Sequence, residues 1–282
     1  MTSRIYDAIS WLTDDDFDLI MLYFDNPDEW LHKYGIGSQE AIDKLYEVDD
    51  AIGYLFRVLE ERGLDETVNV IILSDHGHIN SETSKHVNLY DYIASSDVDF
   101  IIADYGPNFQ MVAVEGKLDE VYEALKSAHP ALHVYKKEEI PERLHYGNHE
   151  RVLPIFGFVD PGWHLHTTIG ANDSFTLSDH GYDTQWMVMK SSFYAQGPYF
   201  RRNYAAVPLE SVDVYQLMCE ILSLDPAPNN GSRDRYVDML ASSEPASPTT
   251  SPCDNASAKP LLSESVIFGF VLLLGLMALK MD

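Results

Sequence analysis

Apolar positions recur along the chain at two alternating spacings. Between Ser38 and Arg62, the residues Ile42, Leu45, Val48, Ile52, Leu55 and Leu59 fall at three- and four-residue steps. That spacing predicts one amphipathic helix, with Ser38 suited to its N-cap and Gly63 to its exit. On either side, residues 17–24 and 67–73 are short, nearly continuous apolar runs, which predict buried strands. The unit reads strand–helix–strand, with its two strands paired in parallel as neighbours. Residues 5–12 read as a short helix. Asp28–Tyr34 reads as a helical turn or two, capped by Asn26, with Pro27 at its first position and Gly35 at its exit. Further strands are expected at 100–103, 110–115, 152–159 and 186–189, and helices at 118–128 and 209–224. The alternation predicts an α/β fold, a mostly parallel sheet flanked by helices.

The pattern changes after residue 240. Residues 241–265 are rich in Ser, Pro, Thr and Ala and read as an exposed stalk. Residues 266–279 are apolar throughout and are followed by Lys280-Met-Asp282. This tail fits either a single membrane span or a glycolipid-anchor signal. Small residues at Asn255-Ala-Ser offer the attachment site of the second. Either form predicts a chain held at the extracellular face of a cell membrane. Asn172, Asn230 and Asn255 each begin an Asn-x-Ser acceptor for glycosylation, in keeping with that face. Cys219 and Cys253 are candidates for one disulfide in an oxidising compartment, or else two buried thiols. No basic segment followed by an apolar stretch opens the chain, so no signal peptide is visible, and the chain is expected to be incomplete at its N-terminus.

The 282 residues, 45% of them hydrophobic, suffice for a full core. A net charge of −26 argues against binding a nucleic-acid duplex. It leaves room for a small phosphorylated substrate, because bound cations invert the local field.

The candidate chemistry lies in a repeated pentapeptide. Leu-Ser-Asp-His-Gly occurs at 73–77 and again at 177–181. The first copy follows the strand 67–73, so Asp75 and His76 fall at the carboxyl end of a strand, where open α/β sheets place their ligand sites. Asp28 and His32 follow the strand 17–24 in the same way, and their four-residue spacing puts them on one helical face. The second copy adds His180. Oxygen and nitrogen donors together suit zinc, and a catalytic zinc takes about three protein ligands. Asp28, His32 and His180 would make one such site, and Asp75 and His76 an incomplete second. Two metals about 4 Å apart form the usual clamp for phosphoryl displacement. The remaining histidines, His78 among them, have no comparable context. His164-Leu-His166 reads as a solvated strand edge, and Trp30 and Tyr34 as packing for their loop.

At these residues the chain resembles the ectonucleotide pyrophosphatase/phosphodiesterases of the alkaline-phosphatase superfamily. The segment Tyr23-Phe-Asp-Asn-Pro-Asp28, with His32-Lys-Tyr-Gly35, is similar to that family's Tyr-x-x-x-Pro-Asp-x-x-x-His-x-Tyr-Gly. Ser74-Asp-His-Gly-His78 is similar to Ser-Asp-His-Gly-Met, with His78 where Met is usual. Ile140-Pro-Glu-Arg-Leu-His-Tyr146, Asp179-His-Gly-Tyr-Asp183 and the segment 215–231 also match. The resemblance implies an alkaline-phosphatase-like fold over residues 1–240. It implies that Asp28, His32 and His180 bind one zinc and that Asp75 and His76 contribute to a second. A Thr nucleophile and a further Asp complete that second site in the family, upstream of the matched region, so about one zinc of the two is expected here. The implied activity is zinc-dependent hydrolysis of phosphodiester or pyrophosphate bonds in extracellular nucleotides or related phosphodiesters. The competing expectation is a catalytically inert, membrane-tethered ectodomain that binds a partner or a single metal.

Overall fold

The computed structural model describes residues 1–14, 17–103, 106–167 and 176–241, and the backbone of 274–280. In chain order, α1 (Thr2–Thr13) leads into β1 (Leu19–Phe24), α2 (Asp28–Tyr34), α3 (Gln39–Glu61) and β2 (Val68–Leu73). Two short strands follow, β3 (Ile79–Asn80) and β4 (His86–Asn88), then β5 (Val98–Ile102), β6 (Asn108–Ala113), α4 (Leu118–Lys126) and β7 (Leu132–Lys136). The remainder comprises β8 (Ile155–Val159), β9 (His164–His166), β10 (Ser178–Asp179), β11 (Phe193–Gln196), α5 (Asp213–Ile221) and β12 (Leu274–Lys280).

The α3 helix forms as its stripe requires. Ser38 Oγ accepts from the Ala41 N–H, and Gly63 leaves the helix at a φ of 67°. Val48, Leu55 and Leu59 are buried against Ile5, Ile9 and Leu12 of α1 and against Val68, Val70 and Ile72 of β2. The opposite face of β2 presents Ile71 to Leu217 and Ile221 of α5 and to Phe200 and Tyr236. Helices therefore cover both faces of β2, which explains its unbroken apolar sequence. A second core joins α4 to the sheet β5-β6-β8-β7 through Phe109, Met111, Val121, Leu125 and Ile155.

The first sheet has the order β1-β12-β2-β11, antiparallel at each step. The expected adjacency of β1 and β2 is not what forms. Leu274–Lys280 lies between them, pairing Met277 with both Met21 and Ile71. Two antiparallel steps leave β1 and β2 running the same way, so their carboxyl ends still reach one rim. Seven residues of the apolar tail are thus a strand whose backbone bonds on both sides, not part of a spanning helix. No helix among the described residues is long and apolar enough to cross a membrane. The rest of the tail, the stalk, Asn172, Asn255 and Cys253 lie outside the described residues. Cys219 is buried in α5, and Asn230 is exposed in a loop.

Four local expectations change. The 186–189 segment is a 3₁₀ turn over Met187–Met189 rather than a strand. Pro27, not Asn26, holds the N-cap position of α2, which has no side-chain cap, and the Asn26 amide donates to Asp25 Oδ1. β7 and β11 form where the apolar pattern predicts no strand. His164 and His166 are buried on β9, not at a solvated edge, because β4 pairs alongside them.

Candidate metal centre

The α2 helix delivers Asp28 and His32 from the end of β1, and the turn after β2 delivers Asp75 and His76. The second pentapeptide reaches them through a short antiparallel ladder in which Ser178 pairs with Asn80 and Asp179 with Ile79. It is fastened to α2 as well. The Leu177 N–H donates to the His32 carbonyl at 2.7 Å, and Ser178 Oγ donates to the Leu31 carbonyl at 2.5 Å. This places His180 Nε2 3.7 Å from Asp28 Oδ1, while His32 Nε2 is 3.5 Å from Asp28 Oδ2. Asp28, His32 and His180 are therefore brought together as expected.

Both pentapeptides make the same Asp–His hydrogen bond: Asp75 Oδ1 accepts from the His76 N–H at 2.8 Å, and Asp179 Oδ1 from the His180 N–H at 2.8 Å. Their carboxylates then diverge. Asp75 is 52% exposed, with Oδ1 3.4 Å from His76 Nε2. Asp179 is buried, 3.8 Å from His32 Nδ1 and 3.6 Å from His164 Nδ1. The glycines differ in purpose too. A Cβ on Gly77 would meet the Val188 carbonyl oxygen at 1.9 Å, whereas Gly181 adopts a φ of 89°.

His76 and His180 stack at 3.5 Å, so the Asp75/His76 pair adjoins the first three residues. The histidine that sequence reasoning missed is His78. Its side chain is fully buried, its Nε2 is 3.0 Å from Asp28 Oδ1, and its Nδ1 has no hydrogen-bond partner among the described residues. Asp28, His32, His78 and His180 each offer a donor atom within 4.8 Å of the others. The one signal was His78 standing where the resembling motif carries Met.

The electrostatics suit a cation. Burial opposes ionisation of Asp28, but the His78 hydrogen bond and the nearby His32 and His180 hold its carboxyl below the ordinary range. Burial, and then the stacked His76, push His180 down to about 3, so its imidazole is neutral at pH 7. Burial likewise lowers His78. The Tyr23 hydroxyl at the rim is raised by desolvation and by Asp75, Asp28 and Asp25. His32 donates its Nδ1–H to the Ser178 carbonyl at 2.8 Å, which leaves Nε2 as the lone-pair donor. Imidazole nitrogens from His32, His78 and His180 with the Asp28 carboxylate form a donor set that fits a divalent ion such as zinc.

Two arginine–carboxylate pairs brace the chain, the first joining two of the matched motifs. Arg143 grips Asp183 with paired bonds of 2.6 and 2.5 Å. Arg235 grips the buried Asp213, which also accepts from the Ser232 and Glu210 N–H groups. Trp30 stacks on Tyr34 at 5.3 Å within α2.

Comparison with known proteins places the chain in a family. The family model for type I phosphodiesterase/nucleotide pyrophosphatase matches residues 1–183. Ectonucleotide pyrophosphatase/phosphodiesterase family member 7 of Rattus norvegicus is 40% identical over 244 residues, covering 85% of this chain and 55% of the relative. The bis(5'-adenosyl)-triphosphatase enpp4 of Xenopus laevis is 35% identical, covering 84% of this chain and 52% of its own length. The solved structure of murine ectonucleotide pyrophosphatase/phosphodiesterase 5 superposes with a TM-score of 0.78 at 38% identity, covering 85% of this chain and 63% of that one. The same murine protein is also solved as an inactive variant in complex with AMP. The chain spans about half the length of the curated relatives it matches. These likenesses bear out the alkaline-phosphatase-like α/β fold, and the chain belongs to the type I phosphodiesterase/nucleotide pyrophosphatase family.

Proposed function

We propose that this chain carries the metal-binding side of a zinc-dependent hydrolase site for phosphodiester or pyrophosphate bonds in nucleotides or related phosphodiesters. The observation that carries this reading is the meeting of His180 with Asp28 and His32, with His180 Nε2 3.7 Å from Asp28 Oδ1. A zinc ion held there supplies Lewis-acid stabilisation of charge developing on phosphoryl oxygens. Asp28 contributes the negative charge. His32 is fixed by the Ser178 carbonyl with Nε2 free, and His180 contributes a neutral nitrogen. Asp75 and His76 offer two donors toward a second ion. Without cations, Asp25, Asp28 and Asp75 would repel a phosphate. The AMP complex of the murine relative supports a nucleotide as the substrate class. The Thr nucleophile that the family resemblance implies is not among these residues, so bond cleavage needs a hydroxyl from outside the set.

A second reading is a catalytically inert ectodomain that holds a metal or a partner. It is favoured by the Asp75/His76 side, where the two pentapeptide side chains supply only part of a zinc shell. Hydrolysis of a chromogenic phosphodiester with added zinc separates the readings. Zinc-dependent turnover that His180→Ala abolishes supports the hydrolase. Bound zinc without turnover, also when an alcohol is supplied as the outside hydroxyl, favours the inert reading, and folded protein that takes up no zinc contradicts both. An extracellular location fits this substrate class and the exposed Asn230 acceptor. A mass decrease on glycosidase treatment, absent in Asn230→Gln, is the check.

A further inference from the structure

We infer that His78 is a fourth protein ligand of the first ion, so that Asp28, His32, His78 and His180 close its shell and open coordination is left to the Asp75/His76 side. This rests on the zinc reading above and goes beyond its three-ligand set. Four protein ligands characterise closed zinc sites, whereas catalytic ones keep three and an open position.

The spacing of the rings carries the inference. Around a tetrahedral ion with bonds of about 2.0–2.1 Å, donor atoms lie about 3.4 Å apart and imidazole centres about 5.2 Å apart. The centres here are 4.7 Å apart for His32 and His78, 5.0 Å for His32 and His180, and 5.2 Å for His78 and His180. The rings splay at 70°, 55° and 61°. Asp28 oxygens lie 3.5, 3.0 and 3.7 Å from the nitrogens of His32, His78 and His180. These values straddle the tetrahedral edge, so three imidazoles and one carboxylate surround a single point. His76 does not share it. Its ring stacks on His180 at 3.5 Å and 11°, which two imidazoles on one tetrahedral ion do not do, and it lies 6.0 Å from His78.

A simpler role for His78 is to orient the Asp28 carboxylate through their 3.0 Å hydrogen bond. That role fixes its distance to Asp28 but not its near-equal spacing from both other rings. Depth favours ligation too. The His78 side chain is inaccessible to solvent, and β3 and β10, which flank it and His180, are locked by their ladder.

Zinc X-ray absorption on the full chain, loaded with less than one equivalent, tests this. The expected spectrum has three imidazoles and one oxygen in four-coordination. His78→Met should lose one imidazole, and zinc affinity should fall by more than the roughly 10–100-fold that loss of an outer-shell partner costs. A wild-type spectrum with two imidazoles, or one unchanged by His78→Met, overturns the inference while leaving the three-ligand site intact. Failure of the folded wild type to bind zinc overturns both. The imidazole count of the wild type needs no variant, so misfolding of His78→Met does not blur the outcome.

Discussion

His32 donates through Nδ1 to the carbonyl of Ser178, 146 residues downstream, at 2.8 Å. This one bond fixes the imidazole tautomer and ties the first ligand-bearing helix to the second pentapeptide. The candidate metal centre is therefore a meeting of distant segments, so an ion bound there and the fold would stabilise each other.

Zinc should raise the thermal stability of the protein. A ligand at about 100 times its Kd adds about 2.7 kcal/mol. Chelation should remove the gain, and Asp28→Asn or His180→Ala should abolish it. A melting curve that zinc leaves unmoved in the wild type argues against a formed site.

Gly77→Ala should damage fold and site together. The new methyl would sit 1.9 Å from the Val188 carbonyl, and backbone must move to admit it. The expected cost is about 1–3 kcal/mol, with weakened zinc affinity because His76 and His78 flank the glycine. Urea unfolding and zinc titration measure the two effects, and a variant matching wild type in both contradicts the close approach.

Asp213→Asn should destabilise by about 1–3 kcal/mol, because the buried carboxylate is paired with a half-exposed Arg235 and also accepts two backbone N–H bonds. The pH dependence has a definite sign. Burial raises the Asp213 carboxyl, but Arg235 and two backbone N–H groups bring it below its ordinary value, and Arg143 does the same for Asp183. A depressed carboxyl contributes stability that is fully present above its unfolded pKa of about 3.9 and is lost as pH falls through the folded value. Urea midpoints should fall between pH 5 and 3, less steeply in Asp213→Asn. Parallel slopes in the two proteins would refute the assignment.

The outward face of β1 exposes Leu19, Met21 and Tyr23, on a strand at one end of the sheet order. An apolar stripe on such a strand invites association. Met21→Lys should reduce self-association in sedimentation runs without lowering the melting temperature. Unchanged association in the variant removes this stripe as its cause.

Much of the fold was legible because burial imposes periodicity. The α3 stripe, the apolar run of β2 and the short α2 segment each carried their own signal. So did the five ligand candidates, since each followed a strand or repeated a motif. What escaped depends on partners distant in sequence. His78 reads locally as part of a turn, and only the β3–β10 ladder brings His180 beside it. His164 and His166 look polar enough for a surface strand, yet β4 pairs with β9 there and both side chains are buried. The apolar run at 266–279 carries no helical or strand period, and pairing with both β1 and β2 decides its described half.

The account stands most directly on zinc content. Metal-free protein reloaded and dialysed should retain about one tightly held zinc per chain, the ion suited to this nitrogen and oxygen donor set. His180→Ala should retain almost none while staying folded. Folded wild type without zinc, or a His180→Ala variant that binds it equally well, would contradict the convergence of these segments on a metal.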